Sequence, residues 1–138
     1  MKTYSTTPKD IKRHWHLVDV GGKILGREAS QIAQLLIGKD KVYFAPHLDC
    51  GDYVVVVNAD NVRLSGKKEQ QKKYRRHSGY PGGFKEIPFA DQMKRDSRKV
   101  IELAVSKMLP KNKLRQKRLR RLKVFANEKH PYKDKLNS

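Results

Sequence analysis

Apolar residues along this chain fall in short runs whose spacing alternates between strand and helix periods. His14-Trp15-His16-Leu17-Val18-Asp19-Val20 is β-branched and aromatic and stops at Gly21-Gly22, which predicts a strand. From Leu25 to Ile37 the apolar positions Leu25, Ala29, Ile32, Ala33 and Leu36 recur at helical spacing, and Gly38 supplies a left-handed stop. Tyr53-Val54-Val55-Val56-Val57 is a continuous apolar run, the mark of a strand covered on both faces. Strand, helix, strand in this order predicts a βαβ unit with a right-handed crossover. Val62-Arg63-Leu64 resumes as a short strand before Ser65-Gly66.

Beyond Gly66 the pattern changes. Residues 67–88 are polar, basic and rich in Gly and Pro, which predicts a long loop or hairpin. Pro88 to Asp96 reads as a short helix with Pro88 in its first turn. Ser97 is the expected N-cap for residues 98–108, where Val100, Ile101, Ala104, Val105 and Met108 form one stripe. Pro110 ends that helix. Residues 111–122 read as a basic helix, Lys123-Val124-Phe125-Ala126 as a last short strand, and residues 127–138 as an irregular tail. The expectation is one α/β domain over residues 1–138, with its core at about 13–126.

Charge sharpens this picture. The 138 residues carry 32 Lys and Arg against 14 Asp and Glu, a net of +18. Through Val62 there are 8 basic and 7 acidic side chains, a net of +1; the remainder holds 24 and 7, a net of +17. Half the chain reads as an ordinary domain and the other half as a surface for a polyanion. A membrane span needs ~20 apolar residues, and the runs here are only a few long. The N-terminus lacks the apolar region of a secretory signal, and one cysteine, Cys50, suits a reducing compartment.

Two stretches concentrate the cations. Between residues 107 and 123 stand Lys107, Lys111, Lys113, Arg115, Lys117, Arg118, Arg120, Arg121 and Lys123 with no acid. Only Leu114, Leu119 and Leu122 offer apolar anchorage to a helix there, too thin a seam for a membrane-surface helix. Phosphates would neutralise this segment and release counterions. The second stretch holds Lys67, Lys68, Lys72, Lys73, Arg75, Arg76 and Lys85, interleaved with Tyr74, His77, Tyr80 and Phe84. Cations for phosphates and rings for unpaired bases suit irregular RNA, although for the individual rings packing onto the domain is the better reading. Lys23, Arg27 and Lys39 are further candidate contacts.

Other constellations carry less. Gly21-Gly22-Lys23-Ile24-Leu25-Gly26-Arg27 opens a helix and resembles the start of a phosphate loop, but Arg27-Glu28 stands where Lys-Ser/Thr is needed. His47 and Cys50 are three residues apart, a spacing that rarely aligns a nucleophile with its base. Asp49 and Asp52 read as turn residues, and the five histidines are scattered without a zinc spacing. No catalytic residues, metal, cofactor or small-molecule substrate are expected. A phosphate-handling enzyme and a DNA-compacting protein are the competing classes.

Trp15, Val18-Asp19, Gly22, Leu25-Gly26-Arg27, Ala29-Ser30 and Ile32-Ala33 together closely resemble the opening of the large-subunit ribosomal protein thirteen family. Gly51-Asp52-Tyr53 through Ala59, His77-Ser78-Gly79-Tyr80-Pro81-Gly82-Gly83, Met108-Leu109-Pro110-Lys111, Arg121 to Phe125 and His130-Pro131 continue it in order. The chain departs from the family pattern at Cys50, Asp96-Ser97, Lys107 and Leu114-Arg115-Gln116. The resemblance implies a three-layer α/β/α domain around a four-stranded parallel sheet. It also implies a structural component of the large ribosomal subunit that binds large-subunit rRNA, acts early in assembly and touches neighbouring ribosomal proteins. The location implied is a bacterial-type cytoplasmic or an organellar ribosome.

Overall fold

Tyr53–Val57 forms β2, the central strand of a parallel three-stranded sheet. In this computed structural model, which describes residues 4–136, its neighbours are β1 (Trp15–Asp19) and β5 (Leu122–Val124), in the order β1-β2-β5. Trp15 lies opposite Tyr53 and Asp19 opposite Val57, while Val54 and Val56 pair with Leu122 and Val124. With a neighbour at each edge and cover on each face, Val54, Val55 and Val56 are fully buried. That double cover is why the run is continuous and not alternating.

Both long helices lie on one face. Helix α1 (Leu25–Ile37) turns Ala29, Ile32, Ala33 and Leu36 toward Val54 and Val56. Helix α3 (Phe89–Met108) adds Val100, Ile101 and Val105 to the same cluster, beside Leu122 and Val124. Two crossovers of one hand, stepping the same way across a sheet, place their helices on the same side. Gly38 closes α1 at φ +84°, its amide bonded to the Gln34 carbonyl at 2.9 Å. A Cβ there would stand 2.6 Å from the Cys50 carbonyl oxygen, and one on Gly51 would overlap the Leu36 carbonyl, so the end of α1 rests directly on residues 50–51.

The opposite face has a different cover. Trp15 and Tyr53 stack with centroids 4.3 Å apart and planes 7° apart, and Tyr132 stacks on Trp15 at 5.1 Å. Phe125 tilts against His130 and Tyr132, and the short helix α5 (Lys133–Leu136) packs on β1. The tail expected to be irregular is therefore a covering layer through Leu136; Asn137 and Ser138 lie outside the described residues, as do Met1–Thr3. The α/β class stands, but the second full helical layer is replaced by this C-terminal segment.

The fourth parallel strand is also corrected. Residues 59–61 wind into a 3-10 turn after Asn58, whose φ is +61°. Residues 62–64 then make a single parallel bridge, Ile24 with Arg63. It is supported by Gly22 donating to the Asn61 carbonyl and Leu25 to the Arg63 carbonyl, both at 2.8 Å. The turn at Gly21-Gly22 and the start of α1 leave no longer partner to pair with.

Residues 67–88 form the hairpin that was one of the two expected outcomes. A one-turn helix, α2 (Lys68–Gln71), leads into β3 (Lys73–His77), which pairs antiparallel with β4 (Phe84–Pro88). Pro88 caps α3, which breaks at Asp96, where φ/ψ of −162°/99° is extended. The cap of the second half is Asp96 and not Ser97: its carboxylate accepts from the Arg98 amide at 3.1 Å. Ser97 is buried and its hydroxyl donates to Asp60. The basic helix contracts to α4 (Arg115–Arg120), because the Asn112 side chain turns the chain at the Leu114 amide and Leu122 is drawn into the sheet.

Candidate nucleic-acid interface

The hairpin β3–β4 presents cations on both of its faces. Tyr74 and Ile87 are paired and half-buried, so that side rests on the body of the domain. Tyr74 is thus a packing residue with the Lys72 ammonium 5.7 Å from its ring centroid, and not a free stacking platform. Lys73 and Arg75 share Glu86 at 3.2 and 3.8 Å. Arg76 stands directly across from Lys85, and neither has an ion pair among the described residues. Like charges directly opposite destabilise a two-stranded pair, and no carboxylate offsets this one. His77 accepts the Gly79 amide through Nδ1 at 2.9 Å, which leaves Nε2 outward. Tyr80 and Phe84 at the tip are exposed.

Between the hairpin and α3 runs a groove of about 1290 Å³, where Arg75, Arg76 and Lys85 face Arg95 and Lys99, with Glu86, Asp96 and Glu102 also in its lining. Arg95 and Lys99 were missed in the sequence. Their signal was the run of cations on either side of the break at Asp96, masked by the apolar stripe that drew attention to the other face of the helix.

Residues 107–123 divide into two classes. Lys107, Lys111, Lys113, Lys117 and Arg120 are exposed, Arg115 donates to the Ser106 hydroxyl at 2.6 Å, and Lys123 is half-buried on the sheet. Arg118 and Arg121, expected among the phosphate contacts, are only 1% and 6% exposed. Arg121 donates to the carbonyls of Asp52 at 2.9 Å and Leu36 at 3.0 Å and pairs with Asp49. Burial lowers its pKa, against the opposing pull of Asp49. Arg118 Nε is 3.8 Å from the same carboxylate, and Arg13 approaches it at 3.9 Å. These guanidiniums tie α4 and β5 to the 49–52 turn from inside and cannot reach a strand outside.

Asp52 is the second internal anchor. Although burial pushes its carboxyl upward, hydrogen bonds from Lys41, His16 (2.7 Å) and the His14 amide (3.1 Å) outweigh it and hold the pKa below the usual value. Both aspartates are thus buried counter-charges and not simple turn residues.

The start of α1 does not form a phosphate-cradling loop. The Gly21 amide donates to Asp19 at 2.8 Å, and the amides of Gly22, Lys23 and Leu25 are all taken by carbonyls of the chain. Lys23 and Lys39 are exposed at opposite ends of α1, separated by roughly 20 Å at 1.5 Å per residue. Arg27 instead joins Lys68, Lys72 and Lys107 around a cavity of about 400 Å³. Cys50 is fully buried while His47 is exposed, so they make no nucleophile pair. Among the described residues no group of three or more His, Cys, Asp and Glu gathers for a metal, and no helix is long and apolar enough to cross a membrane.

Comparison with known proteins gives this arrangement its context. The family described as Ribosomal protein L13 matches residues 13–131. The large ribosomal subunit protein uL13 of Thermobifida fusca (strain YX) is 52% identical over 132 residues, covering 96% of this chain and 89% of that protein. Its counterpart from Clostridioides difficile (strain 630) is 54% identical, with 96% and 92% covered. That of Aquifex aeolicus (strain VF5) is 49% identical, again with 96% and 92% covered. A match spanning both the buried Asp49–Arg121 anchor and the cationic hairpin places the whole fold within one family: this chain belongs to the ribosomal protein L13 family.

Proposed function

We propose that the protein is a structural, non-catalytic constituent of the large ribosomal subunit that binds large-subunit rRNA and supports early subunit assembly. The observation that carries the rRNA reading is the excess of exposed cations over carboxylates on the hairpin, the groove and residues 107–120. Glu86 pairs with Lys73 and Arg75, while Arg76, Lys85, Arg95, Lys99 and the exposed cations of residues 107–120 have no ion pair among the described residues. Such a surface is costly to a lone protein and favourable against a phosphodiester backbone. Lys67, Lys68, Lys72, Lys73, Arg75, Arg76, His77 and Lys85 form one group of contacts. Lys107, Lys111, Lys113, Arg115, Lys117, Arg120 and Lys123 form the other, with Lys23, Arg27 and Lys39 on α1. Arg118, Arg121 and Tyr74 act from inside the fold.

Neighbouring ribosomal proteins are the expected protein partners. The relatives above are bacterial, so the cytoplasmic ribosome is the location this reading implies, and none of them supports the organellar alternative. The test is affinity for large-subunit rRNA fragments as a function of salt. Engagement of ~6–10 phosphates predicts a loss of roughly 10³–10⁵ in affinity between 50 and 200 mM salt. A salt-insensitive complex, or tighter binding to random duplex DNA at matched salt, overturns the reading.

A further inference from the structure

Four cations from three separate stretches of chain meet around one small cavity. Arg27 comes from the first turn of α1, Lys68 and Lys72 from the α2 region, and Lys107 from the end of α3. The cavity holds about 400 Å³, with Ile24, Leu25, Leu64, Ala104 and Met108 lining it beside the four cations. None of the four has an ion pair among the described residues. Glu28 and Glu69 adjoin Arg27 and Lys68 in sequence, but neither pairs with the four cations, and Glu69 accepts from the Leu64 amide at 3.4 Å.

Convergence of like charges without a counter-charge has a measurable signature. Burial first, and then the charges of Lys107 and Lys68, lower the pKa of Lys72. The Lys72 ammonium lies 5.7 Å from the Tyr74 ring centroid, and its backbone is bonded to Lys68 and Phe89, which anchors this cation beside the cavity. The amino end of α1 carries the same sign of charge and adds to the field, but the side chains alone define the site.

The geometry points to this cavity as a discrete seat for the backbone phosphate of an RNA strand, held by Arg27, Lys68, Lys72 and Lys107. This rests on the rRNA-binding reading and narrows it, from a diffuse basic surface to one position where the backbone is gripped by four cations at once. Arg27 supplies a planar fork that can bridge two oxygens, and the lysines supply point charges.

The experiment has two arms on the full chain. In the first, inorganic pyrophosphate is titrated at fixed ionic strength and followed by NMR. Saturable shifts at Gly26, Arg27 and Lys72, with the Lys72 titration midpoint moving upward, are expected. Lys72→Gln should weaken pyrophosphate binding about tenfold, while Lys129→Gln, exposed on the C-terminal segment, leaves it unchanged. Equal weakening by both variants means diffuse attraction and overturns the site.

In the second arm, Lys72→Gln combined with Lys107→Gln should reduce the salt slope of rRNA binding by about 1–2. An unchanged slope overturns the RNA strand as occupant, even where pyrophosphate binds. Absence of rRNA binding by the unaltered protein sinks the broader reading and not the cavity, so the two failures are distinguishable. Both substitutions remove unpaired like charge, so melting temperatures at or slightly above that of the unaltered protein are the folding control.

Discussion

Asp49→Asn tests whether the buried guanidiniums hold the fold together. The Asp49 side chain is 12% exposed and serves three cations: Arg121 in direct contact, Arg118 at 3.8 Å and Arg13 at 3.9 Å. Arg118 Nε and Nη1 and Arg121 Nε are buried without a hydrogen-bond partner, so the Asp49 charge is what offsets them. Removing the carboxylate charge leaves two buried guanidiniums against a neutral amide, and breaking a buried pair from one side costs about 3–5 kcal/mol. With an unfolding entropy of about 2.1 cal/mol/K per residue, the 138 residues give roughly 290 cal/mol/K. The expected fall in Tm is therefore about 10–17 °C by calorimetry, with a matching shift of the urea midpoint at unchanged m-value. Asp40→Asn, at an exposed position beyond α1, serves as the control and should move Tm by no more than ~2 °C. A loss below about 1 kcal/mol for Asp49→Asn would refute the reasoning, because it would mean the arginines find water or other partners at little cost.

Two further outcomes separate internal from external charge. Arg120→Gln should weaken rRNA binding with Tm unchanged, whereas Arg121→Gln should lower Tm by several degrees even without RNA, since two carbonyls and Asp49 lose their donor; identical melts for the two variants would contradict the assignment. For Asp52, whose folded pKa lies below its unfolded value, the contribution to stability is fully present above the ordinary carboxylate pKa of about 3.9 and is lost as pH falls through the folded pKa. Asp52→Asn should accordingly flatten the acid limb of the stability profile measured by urea melts, and an unaltered acid limb would count against the hydrogen-bond network around it.

The scaffold was legible wherever one residue pattern admitted one structure. Leu25 to Ile37 with Gly38 behind it specified α1 and its stop, and four consecutive valines specified a strand buried on both faces. What failed depended on partners far away in sequence. Residues 62–64 have strand composition, yet whether they extend a sheet depends on how much straight backbone lies beside them, and the turn at Gly21-Gly22 left one bridge. Arg118 and Arg121 sit in a run of cations that reads as uniformly exposed. Their burial is set by Asp49 and Asp52, about 70 residues earlier, so the sign of each arginine's environment was invisible locally. The hairpin was an open alternative because Gly79, Gly82 and Gly83 serve a tight tip and a loose loop equally well.

The position of β5 also governs when this molecule becomes complete during its synthesis. The central strand β2 receives its second neighbour only from Leu122–Val124, and its aromatic cover only from Tyr132 and the segment around it. Until residues 122–132 have been made, Tyr53–Val57 therefore has an open edge or a bare face. Non-local closure of this kind is slow and leaves apolar backbone exposed to association. Residues 122–136 act as a clasp, and a nascent chain of this protein stays incompletely folded until they have emerged.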